Sequence, residues 1–398
     1  MTSHWYRICH RLCAWIYYER ITVLNPERLI KEGPVLYVGL HRNGAVDGFI
    51  YHQAVPRGVF LISTQLRRHF FSRLFFSGIG IARSKDTEDG GGNDAAIQQC
   101  VDLLGAGGAL IIFPEGTSSL GPRHLPFKSG AMHIALESLA NGVPLRILPL
   151  GIHYEKAWAF RSKVEIVIGD LISTALPPEM SRLGQLKEMK RRMNFALESV
   201  GINFSSPELY EQASCLAYAS TLGTERSYFK SLKTFEGGIP EPVSHDWRNL
   251  VEKFSSRRML HHQGIPLLPG RPWWIYAASL CLLAPLVLAG ILVNFLPLLM
   301  GWFAGKKFAD DQNVIALWRL LIGLPIGLIW SLLVMVLLVF FCGWEWSLGY
   351  AVLTISALQL TYRTKKVAVA AWNGLLHRSI TRQAWQFHKR LSENLPNP

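Results

Sequence analysis

The chain has 398 residues, of which 49% are hydrophobic and 17% charged, and it carries a formal net charge of +13. This length and apolar content exclude a disordered tail or a disulfide-stapled mini-domain and imply a sizeable core. Residues 273–361 contain only six charged side chains (Lys306, Lys307, Asp310, Asp311, Arg319 and Glu345), and the uncharged runs 272–305 and 320–344 each exceed the roughly 20 apolar residues that cross a bilayer core, which excludes a wholly soluble protein.

The charge is +7 over residues 1–272, zero over 273–361 and +6 from 362 onward. Basic segments beside membrane spans usually stay cytoplasmic and attract anionic headgroups. No nucleic-acid motif accompanies them, so the expected partners are membrane lipids and no nucleic acid. The six cysteines (Cys9, Cys13, Cys100, Cys215, Cys281 and Cys342) form no CxxC pair, and a reduced compartment fits them.

At the amino terminus Arg7 and Arg11 interrupt the apolar stretch and no small-residue cleavage site follows, so it does not read as a signal peptide. Trp5, Ile8, Cys9, Leu12, Trp15 and Ile16 recur at helical spacing, with Arg7, His10 and Arg11 elsewhere. That predicts an amphipathic helix within residues 1–22, lying in a membrane interface or packed on its own domain. Residues 23–176 follow the pattern of an α/β domain. Strands are expected over 35–40, 59–63, 109–113, 146–152 and 164–168. Helices are expected over 94–104, with Asn93 placed to cap and Gly105 to close, and over 130–140. Residues 177–272 read as a mainly helical appendage, clearest over 186–200, residues 273–361 as membrane-embedded helices, and 362–398 as a basic tail. A single crossing by each apolar run would leave Lys306 and Lys307 outside. The positive-inside tendency instead favours a broken re-entrant unit over 273–304, interrupted by Pro285, Asn294 and Pro297, and a transmembrane hairpin over 320–362 turning near 342–346.

Two segments place reactive residues directly after predicted strands. In Leu40-His41-Arg42-Asn43-Gly44-Ala45-Val46-Asp47-Gly48 a base and a carboxylate stand six positions apart. On a continuous helix that offset turns through about 240°, so His41 and Asp47 can meet only across a turn, which Gly44 and Gly48 permit. A carboxylate on one imidazole nitrogen fixes the tautomer and leaves the other nitrogen to accept a proton; a plain loop hydrogen bond fits the same residues. In Phe113-Pro114-Glu115-Gly116-Thr117-Ser118-Ser119, small hydroxyl-bearing residues with free amides make a concave anion site or, with no ligand, an ordinary turn. Between the two, the apolar run 78–82 delivers Arg83, and Lys128 stands just ahead of the helix at 130; both cations suit a phosphate. No Gly-x-Ser-x-Gly elbow supports a hydrolase. His261-His262 lacks HExxH or carboxylate spacing, so it reads as a polar linker and no metal is expected.

Taken in order, the His41 to Asp47 box, the strand ending in Arg83, Phe113-Pro114-Glu115-Gly116-Thr117-Ser118 and Val143-Pro144-Leu145-Arg146-Ile147-Leu148-Pro149 resemble the four blocks of the phospholipid/glycerol acyltransferase (PlsC-like) family, over residues 30–155. The resemblance implies a glycerolipid acyltransferase-type α/β domain, a mixed sheet flanked by helices, in which His41 is the general base and Asp47 orients it. Arg83 with the Glu115-Gly116 turn would bind the acceptor phosphate, and Thr117, Ser118 and Lys128 would complete the substrate site. Five residues rather than the usual four separate His41 from Asp47, Leu40 replaces a common asparagine, and Ser118 stands where many members have arginine. The five-residue spacing, Leu125-Pro126-Phe127-Lys128-Ser129-Gly130 and the hydrophobic carboxyl-terminal block are similar to yeast-type glycerol-3-phosphate/dihydroxyacetone-phosphate acyltransferases and their bacterial relatives. The implied reaction moves a fatty acyl group from acyl-CoA or acyl-carrier protein, as co-substrate and with no cofactor, to a glycerophosphate acceptor (glycerol 3-phosphate or 1-acylglycerol 3-phosphate) in phospholipid synthesis. The implied setting is an integral membrane protein whose catalytic domain faces the cytoplasm. The alternative is a non-catalytic lipid-binding membrane protein that retains the fold.

Overall fold

The computed structural model of the chain describes residues 4–68, 70–82, 93–266 and 271–395. They fall into two compact units, one of residues 1–158, 164–203 and 310–317, the other of residues 159–163, 204–309 and 318–398.

The first unit is built on the strands β1 (Tyr18–Leu24), β2 (Val35–Gly39), β3 (Gly58–Ser63), β4 (Ile79–Ile81), β5 (Ala109–Ile112), β6 (Arg146–Tyr154) and β7 (Ser162–Ile168), hydrogen-bonded in the order β1-β7-β6-β2-β5-β3-β4. β2 is parallel to β5 and β6, and β3 is parallel to β5 and β4, whereas β7 is antiparallel to β6. The sheet is therefore mixed, as expected. β2 and β5 are buried at every position, so both read as continuous apolar runs rather than as alternating ones. Val38 pairs with Ile112. The segments that follow, from Leu40 and from Phe113, thus leave the carboxyl ends of neighbouring strands about 4.8 Å apart, where open α/β sheets place their sites.

The helices of this unit are α1 (His4–Tyr17), α2 (Val46–Ala54), α3 (Phe70–Phe75), α4 (Asp94–Gly105), α5 (Gly130–Ala140) and α6 (Arg182–Val200). The helix expected within residues 1–22 stops at Tyr17, because the β-branched run Ile21-Thr22-Val23 favours the extended β1. Its faces also divide differently from the simple periodicity. Cys9, His10, Cys13, Ala14 and Tyr17 are buried, while Trp5, Ile8 and Trp15 stay exposed. Asn93 does not cap α4 through its side chain; its amide instead brackets Ala82, accepting from the backbone N–H at 3.2 Å and donating to the carbonyl at 3.0 Å. α6, expected in the appendage, is part of the first unit, with Met189, Met193, Leu197 and Val200 buried.

The second unit contains α7 (Pro207–Ser220), α8 (Tyr228–Thr234), α9 (Glu241–Ser256), α10 (Trp273–Val293), α11 (Phe295–Lys307), most of α12 (Gln312–Cys342), α13 (Trp344–Leu376) and α14 (Arg378–Asn394). Among the described residues α10 and α12 are long and apolar enough to cross a membrane. Of the three expected interruptions, Asn294 is the break, donating to the Gly290 carbonyl and to Thr354 Oγ1 at 3.0 Å each. Pro285 sits inside α10 and Pro297 inside α11. The turn expected near 342–346 is at Gly343, whose φ of +100° suits glycine. The basic tail expected from residue 362 is instead continuous helix and then packed helix. α13 runs unbroken to Leu376, and Phe387 of α14 lies 5.9 Å from the Trp247 ring of α9. His262 is not a linker residue either: it is buried, with Nδ1 2.6 Å from the Tyr218 hydroxyl.

Candidate active site

The chain leaves β2 at Gly39 and turns before α2 starts at Val46. Gly44, at φ +54°, makes the turn, and its carbonyl accepts from the Asp47 N–H at 3.1 Å. Asp47 therefore sits in the first turn of α2 and faces back over the loop, so that the six-residue offset closes on itself. His41 Nδ1 lies 2.9 Å from Asp47 Oδ2. That same oxygen accepts the backbone N–H groups of Arg42 at 2.6 Å and Asn43 at 2.8 Å, and Oδ1 accepts the Tyr154 hydroxyl at 2.5 Å. Asp47 is 0% exposed. A carboxylate so buried is tolerated because its oxygens are filled by donors. Burial and the Asp47 charge hold the phenol of Tyr154 well above its usual value, so it stays a donor. With Nδ1–H committed to Asp47, the His41 ring presents Nε2 as its acceptor nitrogen, and Nε2 has no hydrogen-bond partner among the described residues. The ring stacks on Phe113 at 4.4 Å, with the planes 8° apart, which fixes its tilt.

The loop after β5 is tied to the first loop through Glu115. Its Oε1 accepts the His41 N–H and its Oε2 the Leu125 N–H, each at 2.8 Å. Glu115 is 2% exposed, and burial raises its carboxyl against the lowering effect of those two amides. It is a bracket that holds His41, and its carboxylate does not line the cavity described below. The next residues turn outward. Gly116, at φ +70°, leaves so little room that an added Cβ would lie 2.9 Å from Lys128 Nζ, so the ammonium rests directly over the turn. Ser119 N–H is committed to the His41 carbonyl at 3.0 Å. The amides of Thr117 and Ser118 have no hydrogen-bond partner among the described residues. Two amides and a lysine on one turn form an anion cradle.

His41, Gly116, Thr117, Ser118 and Lys128 all line one cavity of about 720 Å³. Much of its lining is apolar, with Phe49, Phe60, Phe76, Ile97, Ile134 and Leu317 among the residues that face it. The structure thus brings together His41, Asp47, Gly116, Thr117, Ser118 and Lys128, with Glu115 behind them. Arg83 lies outside the described residues. Sequence reading missed Tyr154, which reaches Asp47 from the end of β6, and Arg42, whose guanidinium donates to the Gly121 carbonyl at 2.7 Å and steadies the second loop. It also missed Asn313, which donates to the Ser118 carbonyl at 3.0 Å and to its Oγ at 3.1 Å. No local pattern signals these three, because each depends on segments distant in the chain. Among the described residues no group of three or more His, Cys, Asp or Glu side chains could hold a metal ion.

The arrangement can bind an anion and an apolar chain side by side and take a proton between them. The acyltransferase family profile matches residues 20–153. The chain is 28% identical over 136 residues to a 1-acyl-sn-glycerol-3-phosphate acyltransferase of Chlamydomonas reinhardtii, covering 34% of this chain and 40% of that one. It is 30% identical over 139 residues to the 1-acyl-sn-glycerol-3-phosphate acyltransferase of Cocos nucifera, covering 34% and 43%. The crystal structure of the 1-acyl-sn-glycerophosphate (LPA) acyltransferase PlsC of Thermotoga maritima is 21% identical, covers 49% of this chain and 78% of that one, and gives a TM-score of 0.34. The chain spans about two fifths of the length of the two curated relatives named here.

Proposed function

We propose that the chain, whose residues 20–153 match the acyltransferase family profile, is a membrane-bound O-acyltransferase of the phospholipid/glycerol acyltransferase (PlsC-like) family that moves a fatty acyl group from acyl-CoA or acyl-carrier protein to the hydroxyl of a glycerophosphate. The observation that carries this reading is that His41, held by Asp47 at 2.9 Å, and the cradle of Thr117, Ser118 and Lys128 open on the same cavity. A phosphate in the cradle holds the acceptor while the acyl chain lies along the apolar wall, and such positioning can supply several kcal/mol of the barrier reduction. His41 Nε2 takes the hydroxyl proton as that oxygen bonds to the thioester carbonyl carbon. The tetrahedral intermediate then collapses, the carbon–sulfur bond breaks, and the imidazolium returns its proton to the departing thiolate. Asp47 keeps the ring in the right tautomer and balances its transient charge. The sequence resemblance gives Arg83 to the same phosphate, so Arg83→Ala is expected to raise chiefly the acceptor KM; an unchanged KM removes it from the phosphate site.

The test is acyl transfer on membranes with glycerol 3-phosphate, dihydroxyacetone phosphate and lysophosphatidate offered in turn. His41→Ala is expected to cost about 10²- to 10⁴-fold or more in turnover with the fold intact. If the wild type transfers to none of the three, the chain is the lipid-binding alternative. If His41→Ala works as well as wild type, the proton route is wrong.

A further inference from the structure

The first unit includes eight residues that lie far along the chain, 310–317, with the first turns of α12 among them. They are outside the matched family region, yet they touch both halves of the machinery. The Asn313 side chain donates from Nδ2 to the carbonyl of Ser118 at 3.0 Å and to its hydroxyl oxygen at 3.1 Å. From the other side, Gly44 packs so closely on this segment that a Cβ there would lie 3.0 Å from the Asn313 carbonyl oxygen and 3.3 Å from Val314 Cγ1. Asn313 is 6% exposed, and Asn313, Val314 and Leu317 line the cavity.

Hydrogen-bond bookkeeping at Ser118 gives these contacts a direction. A serine hydroxyl has one proton to donate and two lone pairs. With Asn313 filling a lone pair, and with the carbonyl of the same residue pinned by the same amide, the Ser118 proton is left to donate into the cradle. It stands beside the two open amides and Lys128.

We propose that Asn313 is a positioning residue for the acceptor phosphate. It orients Ser118 as a hydrogen-bond donor to the phosphate and, through its contact with Gly44, couples the cradle to the turn that carries His41 and Asp47. The inference rests on the acyl-transfer reading for its kinetic readout and not for its binding readout.

Asn313→Ala and the isosteric Asn313→Asp are compared with wild type in the full-length protein in membranes or detergent, with acceptor KM, acyl-donor KM, kcat and thermal midpoint measured together. In Asn313→Ala the acceptor KM is expected to rise about 10-fold while donor KM and kcat stay within about 3-fold, the loss expected for hydrogen bonds that act on a charged group. Asn313→Asp cannot donate and adds a buried carboxylate against the Ser118 carbonyl, so its acceptor KM is expected to rise further and its thermal midpoint to fall, and the stability comparison is made on Asn313→Ala. A merely structural role would instead lower the thermal midpoint and shift both KM values and kcat together, and that outcome overturns the proposal. So does an unchanged acceptor KM in both variants. Calorimetric binding of glycerol 3-phosphate separates the two claims. Binding by wild type that is weakened in Asn313→Asp, with no acyl transfer in either, keeps the cradle and rejects the reaction. No binding by wild type rejects the cradle.

Discussion

Asp47 carries four contacts on two oxygens, and they differ in what they contribute. The amides of Arg42 and Asn43 fix the turn, His41 uses the carboxylate for tautomer and charge, and Tyr154 caps the remaining oxygen. An asparagine at 47 could keep its carbonyl toward the three N–H donors and turn its amide to Tyr154, so the loop should survive while the charge is lost. Asp47→Asn is therefore expected to lower kcat by about 10²- to 10⁴-fold with little change in acceptor KM or in thermal midpoint; a fall confined to KM would contradict its assigned role. Tyr154→Phe removes one donor of four and is expected to cost only about 1–2 kcal/mol in the barrier, measured as a roughly 5- to 30-fold lower kcat. The His41–Asp47 pair was legible in the sequence because it closes within one loop, and geometry alone forbade any arrangement but a turn. Tyr154 was not, because it lies 107 residues away and meets Asp47 only through the order of the strands. Glu115 was legible as a position but not in its role, since nothing in the residues around it says that both oxygens turn inward to backbone amides.

Among elements, α1 is held to the rest of the first unit by a pair of buried imidazoles. His10 Nε2 lies 2.8 Å from the Phe75 carbonyl, His52 Nε2 lies 2.8 Å from the Pro56 carbonyl, and the two Nδ1 atoms are 2.8 Å apart. Burial pushes His10 down to about 4 and also lowers His52, which the Arg7 charge lowers further. Unfolded histidines take up a proton near pH 6.5, whereas folded His10 stays neutral to about 4. Between those values the unfolded chain binds more protons, so stability falls as the solution is acidified, by about 2 kcal/mol at pH 5. Thermal unfolding at pH 7 and pH 5 should show this loss in wild type and a smaller one in His10→Gln; equal losses would remove the pair as its source. The sheet strands over 35–40 and 109–113 could be read because they are uniformly apolar, and so could α4 and α5, but Gly105 lies inside α4 and the left-handed glycine beyond its end is Gly107, at φ +77°. Which face of α1 is buried could not be read, because His10, Cys13, Ala14 and Tyr17 point inward beside Cys9 while Trp5, Ile8 and Trp15 of the apolar stripe stay exposed.

At the scale of the whole molecule, α10 and α12 are, among the described residues, the helices long and apolar enough to cross a membrane. The boundaries of the apolar block could be read from charge, and so could the break at Asn294 and the turn at Gly343, since uncharged runs and helix breakers are local. The return of residues 310–317 to the first unit could not be read, because it depends on tertiary packing of a segment with no motif of its own. Its consequence under the proposed orientation is topological: Lys306 and Lys307 stand just ahead of Asp310, where the first unit resumes, so they are expected on the same side of the membrane as His41. In a cysteine-free background, Lys307→Cys is expected to react with an impermeant maleimide only from the cytoplasmic side. Labelling solely from the outside would overturn both the orientation and the re-entrant assignment of α10 and α11.

The reaction scheme makes a single-step transfer depend on one ring, and a measurement of thiol release reads it directly. With labelled acyl-CoA and glycerol 3-phosphate, wild-type membranes should release CoA thiol only when the acceptor is present, in step with labelled acyl-glycerophosphate, and His41→Ala membranes should do neither. Thiol released without acceptor, label retained on the protein, or product formed undiminished by His41→Ala would contradict direct transfer by His41.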